Sequence, residues 1–141
     1  MDEHTRQLLT ALQDIYDLEA FSDLAEMLQG ESLVLHFLLT AGGGPVCPSD
    51  LSQGLHLSRS RITAAVGSLH RKGLVSTAPD PADRRRVLVS LTEPGRRIIT
   101  EKRARLEGYF STLIAGLGPA DADELTCLIR RCVTIMGGDH A

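Results

Sequence analysis

The 141-residue sequence predicts a mainly α fold that carries one small β-hairpin. Three observations predict it. Apolar residues recur at helical spacing from residue 5 to residue 41, and again from residue 93 to residue 136. Between Leu74 and Leu91 the period shortens to two, most clearly in VLVSL at 87–91. Turn-forming clusters separate the segments: GGGP at 42–45, APDPADRRR at 78–86 and LGP at 117–119. A chain of this length fits a single domain, residues 1–141, with a sizeable core. At 43% hydrophobic and 23% charged it reads as a soluble globular protein. No apolar stretch approaches the roughly 18 residues a membrane span requires, so no membrane partner is expected. The acidic, polar start MDEHTRQLLT is neither a signal nor a transit peptide. Three cysteines are an odd number and too few for a disulfide framework, which favours a reducing, cytoplasmic setting.

The elements follow in order. Residues 5–20 place Leu8, Leu12, Ile15 and then Leu18 or Glu19 along one helical stripe. A second helix continues over 22–29 with Leu24, Ala25 and Leu28, and Ser22 is its expected N-cap. Gly30 interrupts. Residues 31–41 (ESLVLHFLLTA) are apolar nearly all round, the mark of a central, buried helix. After GGGP, a short helix starts at Pro48, where a missing N–H costs nothing, and Cys47 becomes its N-cap. The next helix is capped by Ser58 and stops at Gly73. It buries Ile62, Ala65 or Val66, and Leu69. Its other face shows Arg59, Ser60, Arg61, Thr63, Ala64, Gly67, Ser68 and Arg71, which are short or basic side chains suited to close approach to something negative. Two strands are expected at Leu74–Thr77 and Val87–Leu91, with Val87, Val89 and Leu91 on one face. Thr92 then caps a long helix whose stripe holds Ile98, Ile99, Leu106, Tyr109, Phe110, Leu113 and Leu117. A last helix, Ala120 to about Met136, presents Leu125, Leu128, Ile129, Cys132, Val133 and Met136.

The net charge of −3 conceals an uneven distribution. Residues 1–53 hold one Arg against nine Asp and Glu; residues 54–105 hold twelve Lys and Arg against four acids; residues 106–141 hold two against five. A basic middle between acidic ends suggests a polyanion-binding surface on a body that does not touch the polyanion. Charge alone fits a merely solvated surface equally well. The element order argues further: helices, a helix-turn-helix, a hairpin wing, then two helices. The second helix of such a motif fits a DNA major groove, about 12 Å wide. A wing beside it reaches the adjacent minor groove, where narrow width concentrates negative potential and attracts Arg.

At this point the sequence resembles a known family. PSDLSQGLHLSRSRITAAVGSLHRKGLV, followed by DPADRRRVLVSLTEPG, is similar to the MarR family of bacterial transcription regulators. The family's wing pattern is Asp-Arg-Arg and then Leu-Thr-x-x-Gly. Here these are Asp83-Arg84-Arg85 and Leu91-Thr92-Glu93-Pro94-Gly95. The resemblance is close over 31–100; the flanking helices match in length and placement. It implies a winged-helix homodimer in which residues 1–29 and 93–141 form dimerisation helices and 31–92 the DNA-binding region. It further implies binding to a pseudo-palindromic double-stranded operator, usually to repress neighbouring genes, with release by a small, often phenolic, effector. The dimer also has a physical warrant, because one small winged helix cannot cover the apolar stripes of both terminal regions. A two-fold dimer sets its recognition helices about one DNA turn apart, roughly 34–36 Å.

Roles can be assigned on this reading. Ser58, Arg59, Ser60, Arg61, Thr63 and Ala64 occupy the exposed first turns of the recognition helix. Arg61 is a candidate for a guanine edge, worth about 1–3 kcal/mol of discrimination. Ser58 and Ser60 are candidates for phosphate at the helix N-terminus, and Ser49 for backbone phosphate. Arg71 and Lys72 suit either phosphate or the helix C-terminus. The resemblance makes Arg85 the minor-groove arginine, with Asp83 holding its guanidinium. Arg84 is expected to pack back on the protein and Arg86 to meet phosphate.

Effector candidates are Tyr16, Phe21, His36 and Phe37, although a lone His on an apolar helix also suits a satisfied core position. The five histidines include no pair at i, i+4, so no metal or cofactor is expected. Cys47 at a helix N-terminus favours a thiolate, which leaves a redox-sensing regulator as an alternative to a structural cysteine. Cys127 and Cys132 are poorly spaced for a disulfide. No Gly-rich phosphate loop, metal cluster or nucleophile elbow argues for an enzyme. A winged-helix adaptor that binds protein instead of DNA is the remaining alternative.

Overall fold

The computed structural model describes residues 1–137; His140, one of the scattered histidines, lies outside the described residues. Helix α1 (Glu3–Tyr16) starts where Asp2 caps it, its carboxylate accepting the Thr5 N–H at 2.9 Å. The chain turns at Asp17–Leu18, and α2 (Glu19–Met27) begins three residues before the expected cap. Ser22 is therefore inside the helix, its N–H bonded to the Leu18 carbonyl at 3.1 Å. Glu19 in the first turn favours this earlier start, since an acid there meets the positive end of the helix dipole. Helix α3 (Gly30–Thr40) takes in Gly30, which adopts φ +53°.

Helices α4 (Pro48–Leu55) and α5 (Arg59–Arg71) form the helix-turn-helix. Strands β1 (Val75–Pro79) and β2 (Val87–Leu91) pair antiparallel, from Val75 opposite Leu91 to Pro79 opposite Val87. The first strand runs two residues beyond its expected end, because the partner strand reaches that far; a proline is tolerated at a strand end, where its missing N–H breaks no ladder. Helix α6 (Glu93–Leu117) and helix α7 (Pro119–Gly137) complete the order. This is a winged helix-turn-helix, mainly α with one small hairpin.

Two compact units make up the chain, residues 1–106 and residues from Glu107 onward. In the first unit the core is drawn from every element between α3 and the start of α6. Val34 and Leu38, Leu51, Ile62 and Leu69, Val75, Val89 and Ile99 are all fully buried. Each such side chain contributes about 1.5–3 kcal/mol relative to exposure. Of the expected hairpin face only Val89 is fully buried; Val87 is 42% exposed. The reason is a contact that local pattern does not reveal. Val46 forms an isolated bridge with Val89, N–H to O at 2.9 and 2.8 Å, and Leu91 N–H reaches the Gly43 carbonyl at 2.8 Å. The GGGP loop thus covers the middle of β2 and leaves its far end open. Gly44, at φ +101°, lies so close that a Cβ would stand 2.7 Å from the Val89 carbonyl oxygen.

The end of the wing is fastened by the Leu-Thr-x-x-Gly pattern. Thr92 Oγ1 donates to the Gly73 carbonyl at 2.7 Å and accepts the Gly95 N–H at 3.2 Å, so it caps α6 and ties it to the end of α5. Any Cβ at Gly95 would overlap the Leu74 carbonyl oxygen. Further along α6, Lys102 Nζ reaches Glu26 at 2.9 Å and Ser32 Oγ at 3.2 Å. In the second unit, Gly118 turns the chain at φ +84° between α6 and α7.

Candidate nucleic-acid interface

The site is assembled from α4, α5 and the hairpin. Ser58 caps α5 with its side chain, accepting the Arg61 N–H at 3.2 Å, and so fixes where the helix starts. Ile62, Val66 and Leu69 then turn into the core. By helical geometry, Arg59, Ser60, Arg61, Thr63 and Ala64 are left outward, and all five are exposed together with Ser58. The free N–H groups of the first turn and the cluster of cations make this end attractive to phosphate.

A cleft of about 410 Å³ lies between α4, α5 and the hairpin, lined by Cys47, Pro48, Ser49, Arg59, Thr63, Val66, Gly67, Arg85, Arg86 and Val87. It brings together five of the residues singled out from sequence: Ser49, Arg59, Thr63, Arg85 and Arg86. Arg71 is exposed and leans along its own helix, where a Cβ on Gly67 would meet its guanidinium at 3.4 Å. Lys72 is engaged with Glu31 at 2.6 Å, and that ammonium holds the Glu31 carboxyl below the ordinary carboxylate range.

The turn between the strands departs from expectation in three respects. Asp83 accepts the backbone N–H of Arg85 at 3.1 Å, so it shapes the turn and does not brace the guanidinium. Arg84 is exposed and does not pack back on the protein. The arginine that does turn inward is Arg86, whose Nη2 donates to Cys47 Sγ at 2.8 Å. Alternation along an irregular turn is a poor guide to side-chain direction, since a turn has no fixed period.

Cys47 is the N-cap of α4 with only 3% of its surface exposed. Its thiol lies 3.0 Å from Ser49 Oγ and 3.0 Å from Asp50 Oδ2. The Ser49 hydroxyl, aided by the Asp50 N–H and Arg86, draws the thiol below its ordinary range, against the opposing Asp50 carboxylate and burial. Cys127 and Cys132 are free and exposed on α7.

The effector candidates do not share one surface. Tyr16 is 77% exposed and lies in a groove with Leu9, Leu12, Gln13 and Asp17, which includes none of the other three. Phe37 packs over Gly54 of α4, so closely that a Cβ there would stand 2.5 Å from its ring. Phe21 is partly buried. His36 is partly buried and, among the described residues, its Nδ1 has no hydrogen-bond partner, so it is not the satisfied core histidine that its helix suggested. Among the described residues no group of three or more His, Cys, Asp or Glu is placed to hold a metal ion, and no helix is long and apolar enough to cross a membrane.

A family model described as MarR family matches residues 24–86, which contain the helix-turn-helix and the wing turn. The PcaV transcriptional regulator of Streptomyces coelicolor superposes with a TM-score of 0.72 at 26% identity, covering 96% of this chain and 98% of that one. The transcriptional activatory protein BadR of Rhodopseudomonas palustris is 41% identical over 49 residues, 35% of this chain and 28% of that protein. The HTH-type transcriptional repressor NicR of Pseudomonas putida is 36% identical over 56 residues, 40% of this chain and 35% of that protein. The curated relatives are matched over 28% to 59% of their own length. The fold is a winged helix-turn-helix whose α5 helix and wing carry exposed arginines. Over residues 24–86 the chain is similar to the MarR family.

Proposed function

We propose that the protein is a cytoplasmic, DNA-binding transcription regulator that acts as a homodimer on a pseudo-palindromic operator, as a repressor released by a small aromatic effector. The observation that carries the reading is the cleft between α5 and the wing, lined by Arg59 and Arg85, with Arg61 and Arg84 also exposed on the same two elements. A protein-binding adaptor has no use for four outward cations on a recognition surface. In this reading residues 1–141 act as one functional domain, with 31–92 on the DNA. Ser49, Ser58, Ser60 and Arg71 contact phosphate, Arg61 a base edge, and Arg85 the minor groove.

The homodimer is supported by apolar residues left in the open. Leu8, Leu12 and Leu18 in the first unit, and Ile114, Ile129 and Val133 in the second, are each 45% exposed or more. A folded monomer in sedimentation at micromolar concentration would end that part of the proposal. The redox alternative gains nothing from a thiol that is buried and already has three partners.

The test is fluorescence anisotropy against DNA flanking the protein's own gene. Arg85→Ala is expected to weaken binding strongly and to flatten the salt slope by about 0.9, the loss of one phosphate-type contact. No salt-dependent binding by the wild-type chain would favour the adaptor. Repression has a named precedent in NicR and a counter-example in BadR. Deleting the gene should therefore raise transcription of its neighbour; a fall would make the protein an activator. Effector release rests on the resemblance to the MarR family, and a panel of phenols and benzoates that never changes the affinity would remove it.

A further inference from the structure

The three arginines of the wing turn do not share one task. The turn over residues 80–86 closes on its own backbone: Asp80 N–H to the Arg86 carbonyl and Arg86 N–H to the Asp83 carbonyl, both at 2.9 Å. The carboxylates of Asp80 and Asp83 accept the N–H groups of Ala82 and Arg85. Among the described residues, the side-chain hydrogen bond that leaves the turn is Arg86 to Cys47, 39 positions away in the chain. Its acceptor is a rigid point, a buried residue at the start of α4 fixed between Ser49 and Asp50. The Asp50 and Asp80 carboxylates add their attraction to the same guanidinium. A two-stranded ribbon of five paired residues is marginal by itself and free to twist, so its tip needs a lateral tie to hold one direction.

We propose that Arg86 is a positioning residue: through Cys47 it fixes the wing against the first turn of α4, and so aims Arg85 into the cleft beside α5 without itself contacting phosphate. The proposal rests on the DNA-binding reading for its consequence, and on the free protein for its geometry.

Both levels can be measured. In the free protein, amide hydrogen exchange across residues 82–86 should quicken by about tenfold in Arg86→Ala, the size expected of one lost charge-assisted hydrogen bond. Cys47→Ala should match it. Cys47→Ser, whose hydroxyl can accept the same bond, should restore slow exchange. On DNA, Arg86→Ala and Cys47→Ala should weaken binding equally, the double variant no further, and the salt slope should stay at the wild-type value. Additive losses, or a slope reduced by about 0.9 in Arg86→Ala alone, would make Arg86 a phosphate contact and overturn the proposal. Unchanged exchange in Arg86→Ala, an exposed position whose loss leaves the core intact, would overturn it too. Wild-type protein that binds no DNA would defeat the functional reading and leave the exchange arm to decide the tie.

Discussion

Leu38 and Leu12 sit on helices with equally legible apolar patterns, yet Leu38 is fully buried and Leu12 is 50% exposed. The same contrast holds between regions. The winged helix closes a core from the side chains of six elements, α3 to α6, in one chain. Helix α1 has no buried residue at all, and on α7 Leu128, Ile129 and Val133 remain open. An amphipathic stripe states that a face must be covered; it does not state by what. For α3 and α5 the cover is the rest of the winged helix. For α1 and α7 the proposed cover is a second copy of the chain.

The comparison can be broken most sharply at matched leucines. Leu38→Ala should cost about 2–5 kcal/mol in urea unfolding, because it empties a closed core. Leu12→Glu should leave the winged-helix fold intact by circular dichroism but shift sedimentation towards monomer. Unfolding of both variants alike would mean that α1 belongs to the same core. Two glycines of α6 offer a second pair. Gly95→Ala should destabilise by about 1–3 kcal/mol, since its Cβ overlaps the Leu74 carbonyl. At Gly116 a Cβ would meet nothing within 4 Å among the described residues, so Gly116→Ala should stabilise by up to about 1 kcal/mol through helix propensity. Destabilisation at Gly116 would instead place a partner chain against that turn.

The smallest effect concerns pH. The Cys47 thiol is drawn below its ordinary range, so the unfolded chain holds more protons between the folded and unfolded pKa values. Stability should therefore rise slightly with pH across that window and reach its full value above the ordinary thiol range. Cys47→Ser should lack the rise when urea midpoints are compared at neutral and alkaline pH. An equal rise in both proteins would assign it to another group.

Much of the fold was legible because it is written in local chemistry. The Ser58 cap, the Pro48 start, the Gly73 stop and the change of period at Leu74 each act within a few residues, and the structure keeps all four. Helix α2 was misplaced at its start because Ser22 has good capping chemistry and no need to use it. The exposed face of α5 was legible for the same reason that helices are: a period of 3.6 assigns every residue a side. The wing turn was not, because Asp83, Arg84 and Arg86 lie where no period operates.

By itself, then, the sequence determined the elements, their order, the buried face of α5 and the concentration of positive charge around the wing. These depend on spacing, capping and turn chemistry, all short-range. Only the tertiary structure decided that GGGP covers β2 through Val46, that Gly95 must clear the Leu74 carbonyl, and that Arg86 meets Cys47 while Arg85 lines the cleft and stays exposed. Those outcomes join residues far apart in the chain, and their free energy exists only once the core has brought the segments within a hydrogen bond of each other.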